Sequence, residues 1–267
     1  MPVRLHISAE IAGADWLRPL LRPFGSGVAA IVPSGFPAYV RILHPALGRN
    51  GEHVRWDAVA ARSSRIMHRL AQFHAIVSSR TPAKPGSVPW DGVDPPQGNL
   101  PAELLRALCA ILAGHTSTCA ACWFCVWEGY GWLHGSTAVA AATNNRGGRQ
   151  FSNAVSGLNA LAAPVFPPEV HAPTVNLPKR GYFLLEGPLD AATDLGWTVG
   201  DAFFPQSPNL FWPQDHAWCV ASEIDLFCTL VAGSQVMVEE LVADSRLEAW
   251  RVEPDDPIAY DSDQINS

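Results

Sequence analysis

Residues 122–133, CWFCVWEGYGWL, open on six bulky side chains that favour a strand and close on a turn with two glycines. The opening reads as a β-strand. Side chains alternate across a strand, so Cys122 and Cys125, an odd number of positions apart, face opposite sides. A second extended segment, AWCVASEIDLF at 217–227, reads as another strong strand. Its alternation would put Glu223 and Asp225 on one side and Trp218, Val220 and Ile224 on the buried side. Between and beyond these two lie GYFLLEGPL (181–189), a strand entering a turn, and LEAWRV (247–252), a last strand. Ser234 is placed to cap a helix through about Ala243. The acidic tail 253–267 reads as frayed, with Asp261 and Asp263 in solvent.

Upstream, Pro101 opens a helix whose apolar face is Leu104, Leu105, Leu108, Ile111 and Leu112, with Gly114 as its stop. Cys109 on that face reads as a core thiol. Trp56, Val59, Ala60, Met67, Leu70 and Val77 recur at helical spacing and predict a helix over 56–77. A short helix is expected over 10–24, and two strands, 28–32 and 39–43, around Pro33-Ser34-Gly35. Arg41 then sits among apolar neighbours. The stretch 79–99, rich in Pro, Ser and Gly, reads as a linker or loop. It separates an N-terminal helix/strand/helix portion (1–78) from a main portion (100–267) with an irregular segment at 135–178. The sum is a single large α+β domain, its sheet mixed or mainly antiparallel with flanking helices.

Composition narrows the function classes. The 267 residues carry Lys+Arg 18 against Asp+Glu 25, a net charge of −7, which argues against nucleic acid as the partner. No apolar run approaches the ~20 residues of a membrane-spanning helix, so no membrane partner is expected. The N-terminus has Arg4 but no continuous apolar segment behind it, so a cytoplasmic location with reduced thiols is expected. No G-x-G-x-x-G or G-x-x-x-x-G-K-[ST] motif supports a nucleotide fold, and no G-x-S-x-G supports a hydrolase.

Three sets of residues could carry chemistry. His115, Cys119, Cys122 and Cys125 have the residue types and two-residue gaps of a zinc site. Strand geometry across Cys122-Trp-Phe-Cys125 works against it, so packed thiols and no cofactor are the expectation. Trp123, Trp127, Glu128, Tyr130, Trp212 and Trp218 could line a recognition surface, Trp212 in particular if Phe211-Trp212-Pro213 is a loop. Glu223 and Asp225, with Glu128, could act as acid–base groups, or the pair could be the wet face of a half-buried strand. Together these residues suggest an acidic, aromatic surface offered to a basic protein partner; the alternative is an enzyme acting on a small or peptide-like substrate through the carboxylates.

Four segments, VPSGFPAYVRILHPA (32–46), CWFCVWEGYGWL (122–133), SPNLFWPQDHAWCVASEIDLFCTLVAGS (207–234) and LEAWRVEPDDPI (247–258), resemble a group of actinobacterial hypothetical proteins. That resemblance implies a bacterial, cytoplasmic protein and no particular activity. In the group the later segment reads W-P-x-D-R-x-W, then E-I-D and a G-G turn. Here His216 stands for the Arg, Phe227-Cys228 for a more polar pair and Ala232-Gly233 for Gly-Gly, which weakens a charge-based role for it. The W-x-G-x-G region and the late acidic strand followed by a helix are similar to SMI1/KNR4-type (SUKH) proteins, many of them immunity proteins, although the L-G-x-x-L-P motif of that family is absent. The similarity implies an immunity-like or regulatory role.

Overall fold

A computed structural model describes residues 4–78, 89–134, 163–164 and 172–266. Residues 79–88 of the expected linker, and 135–162 and 165–171 of the expected irregular segment, lie outside the described residues. The N-terminal part contributes strands β1 (His6–Ile7), β2 (Ala38–Leu43), β3 (Ala46–Leu47) and β4 (His53–Val54), then helices α1 (Trp56–Ser63) and α2 (Phe73–Val77). Helix α3 (Ala102–Ala113) precedes β5 (Cys122–Trp127) and β6 (Ala163–Pro164). There follow β7 (Thr174–Leu177), β8 (Arg180–Gly187), β9 (Gly196–Val199), β10 (Ala202–Pro205), β11 (Leu210–Pro213), β12 (Cys219–Ala221) and β13 (Cys228–Gly233). The last helix, α4 (Gln235–Ala243), leads to β14 (Ala249–Val252).

Among the described residues nine strands form one antiparallel sheet, eight of them in the order β1-β8-β5-β11-β12-β13-β2-β14, with β7 paired to β8 off that path. Because β5 holds one edge of β8, its other edge is shared: β7 pairs with 180–183 and β1 with 185–186. Strand β2, from the N-terminal part, lies between β13 and β14, so both parts of the chain build one sheet. The fold is α+β with a mainly antiparallel sheet, as expected. Smaller sheets join β10-β9-β6 and β3-β4.

The sheet is buried on both faces, and strand alternation decides which residue goes where. Cys122, Phe124 and Val126 of β5, with Phe211, Val220 and Val231, pack under α3 and α4. Cys125, Trp212, Cys219 and Leu230 face the other way, against Ala14, Leu17, Val28 and Val32. Ser234 caps α4 as expected, its side chain accepting from Met237 N at 3.2 Å. No helix among the described residues is long and apolar enough to cross a membrane.

Several local expectations are overturned. The helix over 10–24 is two short 3-10 turns, Ala12–Ala14 and Arg18–Leu20; Gly13, Pro19 and Pro23 disfavour anything longer. Val28–Ala30 is also a 3-10 turn, not a strand. The helix over 56–77 stops at Ser64, which takes a left-handed conformation (φ 56°), and resumes at Phe73. Tertiary partners claim the backbone between: buried Arg41 donates to Arg69 O (3.1 Å) and Ala71 O (2.8 Å), with its guanidinium 5.5 Å from the Trp56 ring.

The C-terminal tail is docked, not frayed. Asp263 is 2 % exposed and accepts from Gln72 N, Asn266 N, Asn266 Nδ2 and His68 Nε2 at 2.9–3.1 Å. Burial alone would raise the Asp263 pKa, but the bonds from Asn266, Gln72 and His68 outweigh it and hold it below the usual carboxylate value. A depressed folded-state pKa means the ionised carboxylate stabilises the fold above the unfolded value of about 4 and stops doing so as pH falls through the folded one. Urea midpoints for the native chain should therefore fall on acidification from pH 6 to pH 3 by more than those of Asp263→Asn. The variant should start about 1–3 kcal/mol less stable. Parallel pH profiles for the two proteins would refute this.

Candidate functional site

One end of the sheet gathers charged and aromatic groups from five chain segments around Arg180. Strand β8 begins at Arg180, and its pairing with β5 brings it beside Trp127, the last residue of that strand. Beyond Trp127, Glu128 N donates to Gly181 O (3.0 Å), and the Glu128 side chain lies where a Cβ on residue 181 would have to sit. Gly181 is therefore the residue that lets Glu128 close over the start of β8.

Glu223 and Asp225 do not alternate on a strand. Strand β12 ends at Ala221 and β13 begins at Cys228, so both acids sit in the connecting turn. Leu226 N closes that turn onto Glu223 O at 3.0 Å. Gly98, at φ +60°, presses against it: a Cβ there would meet Ile224 Cα at 2.6 Å, and Gly98 N bonds Leu226 O at 2.9 Å. Only glycine satisfies both the left-handed conformation and this approach.

Arg180 then unites the acids. Its Nη2 donates to Glu223 Oε1 (2.8 Å) and Asp225 Oδ2 (2.6 Å), and its Nε to Glu223 Oε1 (3.2 Å). Its guanidinium carbon lies 5.7 Å from the Phe24 ring and 5.8 Å from the Trp127 ring. The side chain of Glu223 is 7 % exposed, that of Arg180 18 %, and that of Asp225 68 %, so the pair is buried at one end and open at the other. Burial pushes the Glu223 carboxyl up while Arg180 pulls it down, and burial prevails. Burial and the charge of Glu223 push the Tyr182 hydroxyl far above its ordinary value.

Asn209, just before β11, braces the site. Its Oδ1 accepts from Trp127 N (2.8 Å), and its Nδ2 donates to Tyr130 Oη (2.9 Å) and Ser222 O (3.2 Å). Ser222 continues inward through Thr229 Oγ1 (2.7 Å) to His44 Nε2 (2.9 Å), whose Nδ1 lies 2.7 Å from Pro96 O. The carbonyl can only accept, so Nδ1 carries the proton and Nε2 accepts from Thr229. Burial lowers His44 to about 4, keeping it neutral in this buried network. Beside these groups lies a shallow depression, open to solvent, with room for little more than one water molecule and lined by Leu21, Phe24, Leu177, Arg180, Asn209 and Glu223 among others.

Of the residues expected at a site, Trp127, Glu128, Tyr130, Glu223 and Asp225 converge here. Trp123 is half-buried at the other end of β5, over Gly13. Trp212 and Trp218 are not surface residues. Trp212 lies on strand β11, not in a loop, and both indoles are fully buried, on opposite faces of the sheet. The cysteine set is dispersed for the reason strand geometry predicts: Cys122 and Cys125 belong to cores on opposite faces, Cys119 is exposed, and His115 Nε2 bonds Glu240 at 2.8 Å. Among the described residues no three His, Cys, Asp or Glu side chains are grouped to hold a metal ion. Burial raises the Cys109 and Cys122 thiols to about 12, so both stay protonated.

Sequence reasoning missed Arg180, Asn209, Phe24 and Tyr182. Arg180 had one local signal, a charged residue placed between a proline turn and an apolar strand. No family model, curated protein or solved structure matches the chain.

Proposed function

We propose that the chain is a protein-interaction module that offers the Arg180 cleft and its acidic, aromatic rim to a partner protein. The observation that supports this reading is the convergence of Trp127, Phe24, Glu223 and Asp225 on Arg180, which lines an open cleft with Phe24 and Glu223. Phe24 is 42 % exposed and shares Arg180 with the exposed Asp225 carboxylate, a combination of apolar anchor and charge that suits a basic partner. Carboxylate acid–base catalysis has less support: Glu223 already gives Oε1 to Arg180, and no Ser, Thr, Cys or His is among the residues lining the cleft. The SUKH resemblance supplies the specific form of the proposal, in which the partner is a toxin.

Affinity purification from the native host with two baits tests it. A protein retained by the native chain and lost with Phe24→Ser/Asp225→Arg, at unchanged circular dichroism, is the expected result. An identical set of captured proteins with both baits would remove the cleft as the interface.

A further inference from the structure

The groups around Arg180 are those a receptor for a planar cation would need. A buried carboxylate meets the guanidinium edge, a second, exposed carboxylate shares Nη2, and two aromatic rings lie within 6 Å of its central carbon. Rings and carboxylates in this arrangement recognise guanidinium better than a compact ammonium, whose three donors lack the flat fork. The occupant comes from the tip of the β7–β8 hairpin. Leu177 pairs with Arg180, leaving Pro178 and Lys179 as a two-residue turn. Proline keeps a negative φ and Lys179 has φ 71°, the combination of a type II turn with lysine where glycine is preferred. Hairpins favour the opposite, primed turns. Arg180 is thus presented, at the mouth of the cleft, by a turn whose second residue, Lys179, is held in a conformation lysine does not favour.

We infer that Arg180 is an internal occupant of a guanidinium-binding cage formed by Glu223, Asp225, Trp127 and Phe24, and that an arginine side chain of the partner takes its place on binding. This rests on the interaction-module reading and names its chemistry. An internal occupant lowers the apparent affinity for an external one in proportion to the fraction of time the cage is free. Displacement moves one guanidinium out and another in, so the buried Glu223 is never left unpaired.

N-acetyl-arginine amide and N-acetyl-lysine amide, titrated by NMR into the native chain, Arg180→Ala and Arg180→Ala/Glu223→Gln, test the inference. The arginine probe should bind Arg180→Ala saturably and at least about tenfold more tightly than the native chain. The lysine probe should bind more weakly, and Glu223→Gln should abolish binding. A folded Arg180→Ala that binds neither probe, binds both alike, or binds with Glu223 removed overturns the cage. Should Arg180→Ala lose its fold, rescue is read instead. Native circular dichroism should return in tens of millimolar guanidinium chloride and not in equal sodium chloride; no return also overturns it. These probes involve no partner. A cage that takes arginine while no protein is captured removes only the module reading, and a captured protein without probe binding removes only the cage.

Discussion

Trp218→Ala should cost about 3–5 kcal/mol. Trp218 is fully buried, meets Phe211 edge-on at 5.7 Å, and donates its indole N–H to Leu112 O at 3.1 Å. Leu112 is in the last turn of α3, and its carbonyl also accepts from His115 N at 3.0 Å, so the indole adds a second bond that anchors the helix end to the start of β12. Truncation opens a cavity and removes that anchoring bond together, although Leu112 O keeps its bond from His115 N. Against a total stability of roughly 5–15 kcal/mol the variant should be marginal at room temperature. Trp218→Phe keeps most of the ring and should lose well under that amount. Urea unfolding checks both, and a Trp218→Ala midpoint within error of the native one would show that the α3–sheet contact carries little of the stability.

Arg180→Met should lose about 2–3 kcal/mol at pH 7, because it strips Glu223 of its counter-charge while leaving it buried. The pH dependence separates this from lost packing. Burial already raises Glu223, and without Arg180 its folded-state pKa rises further above the unfolded value. An acid shifted up costs nothing while it is protonated in both states, below about pH 4. Its penalty then grows as pH rises toward the folded value. The deficit of Arg180→Met should therefore shrink from pH 7 to pH 4, and Arg180→Met/Glu223→Gln should recover most of it at pH 7. A deficit that is flat with pH and unrepaired by Glu223→Gln would mean that Arg180 matters only for its aliphatic contacts.

Ser234 and residues 122–127 show what local rules can reach. A serine before an apolar run specifies its own helix start because the cap bond spans three residues. CWFCVW sorts its two faces because strand periodicity is two whatever strand lies beside it. The same rules failed at 56–77 and 217–227. There the apolar spacing was real, but Arg41, Asp263, Asn209 and Gly98, all distant in sequence, took the backbone or broke the run.

The sequence by itself determined that the chain would be α+β with a mixed or mainly antiparallel sheet, that Cys122 and Cys125 would part company across it, and that α4 would begin after Ser234. Only the tertiary structure decided that Arg180 would meet Glu223 and Asp225, 43 and 45 positions away, between the rings of Trp127 and Phe24. That meeting depends on the lateral order β8-β5-β11-β12. The order in which strands lie side by side is set by burial summed over the whole sheet, a quantity to which no short stretch of side chains holds the key.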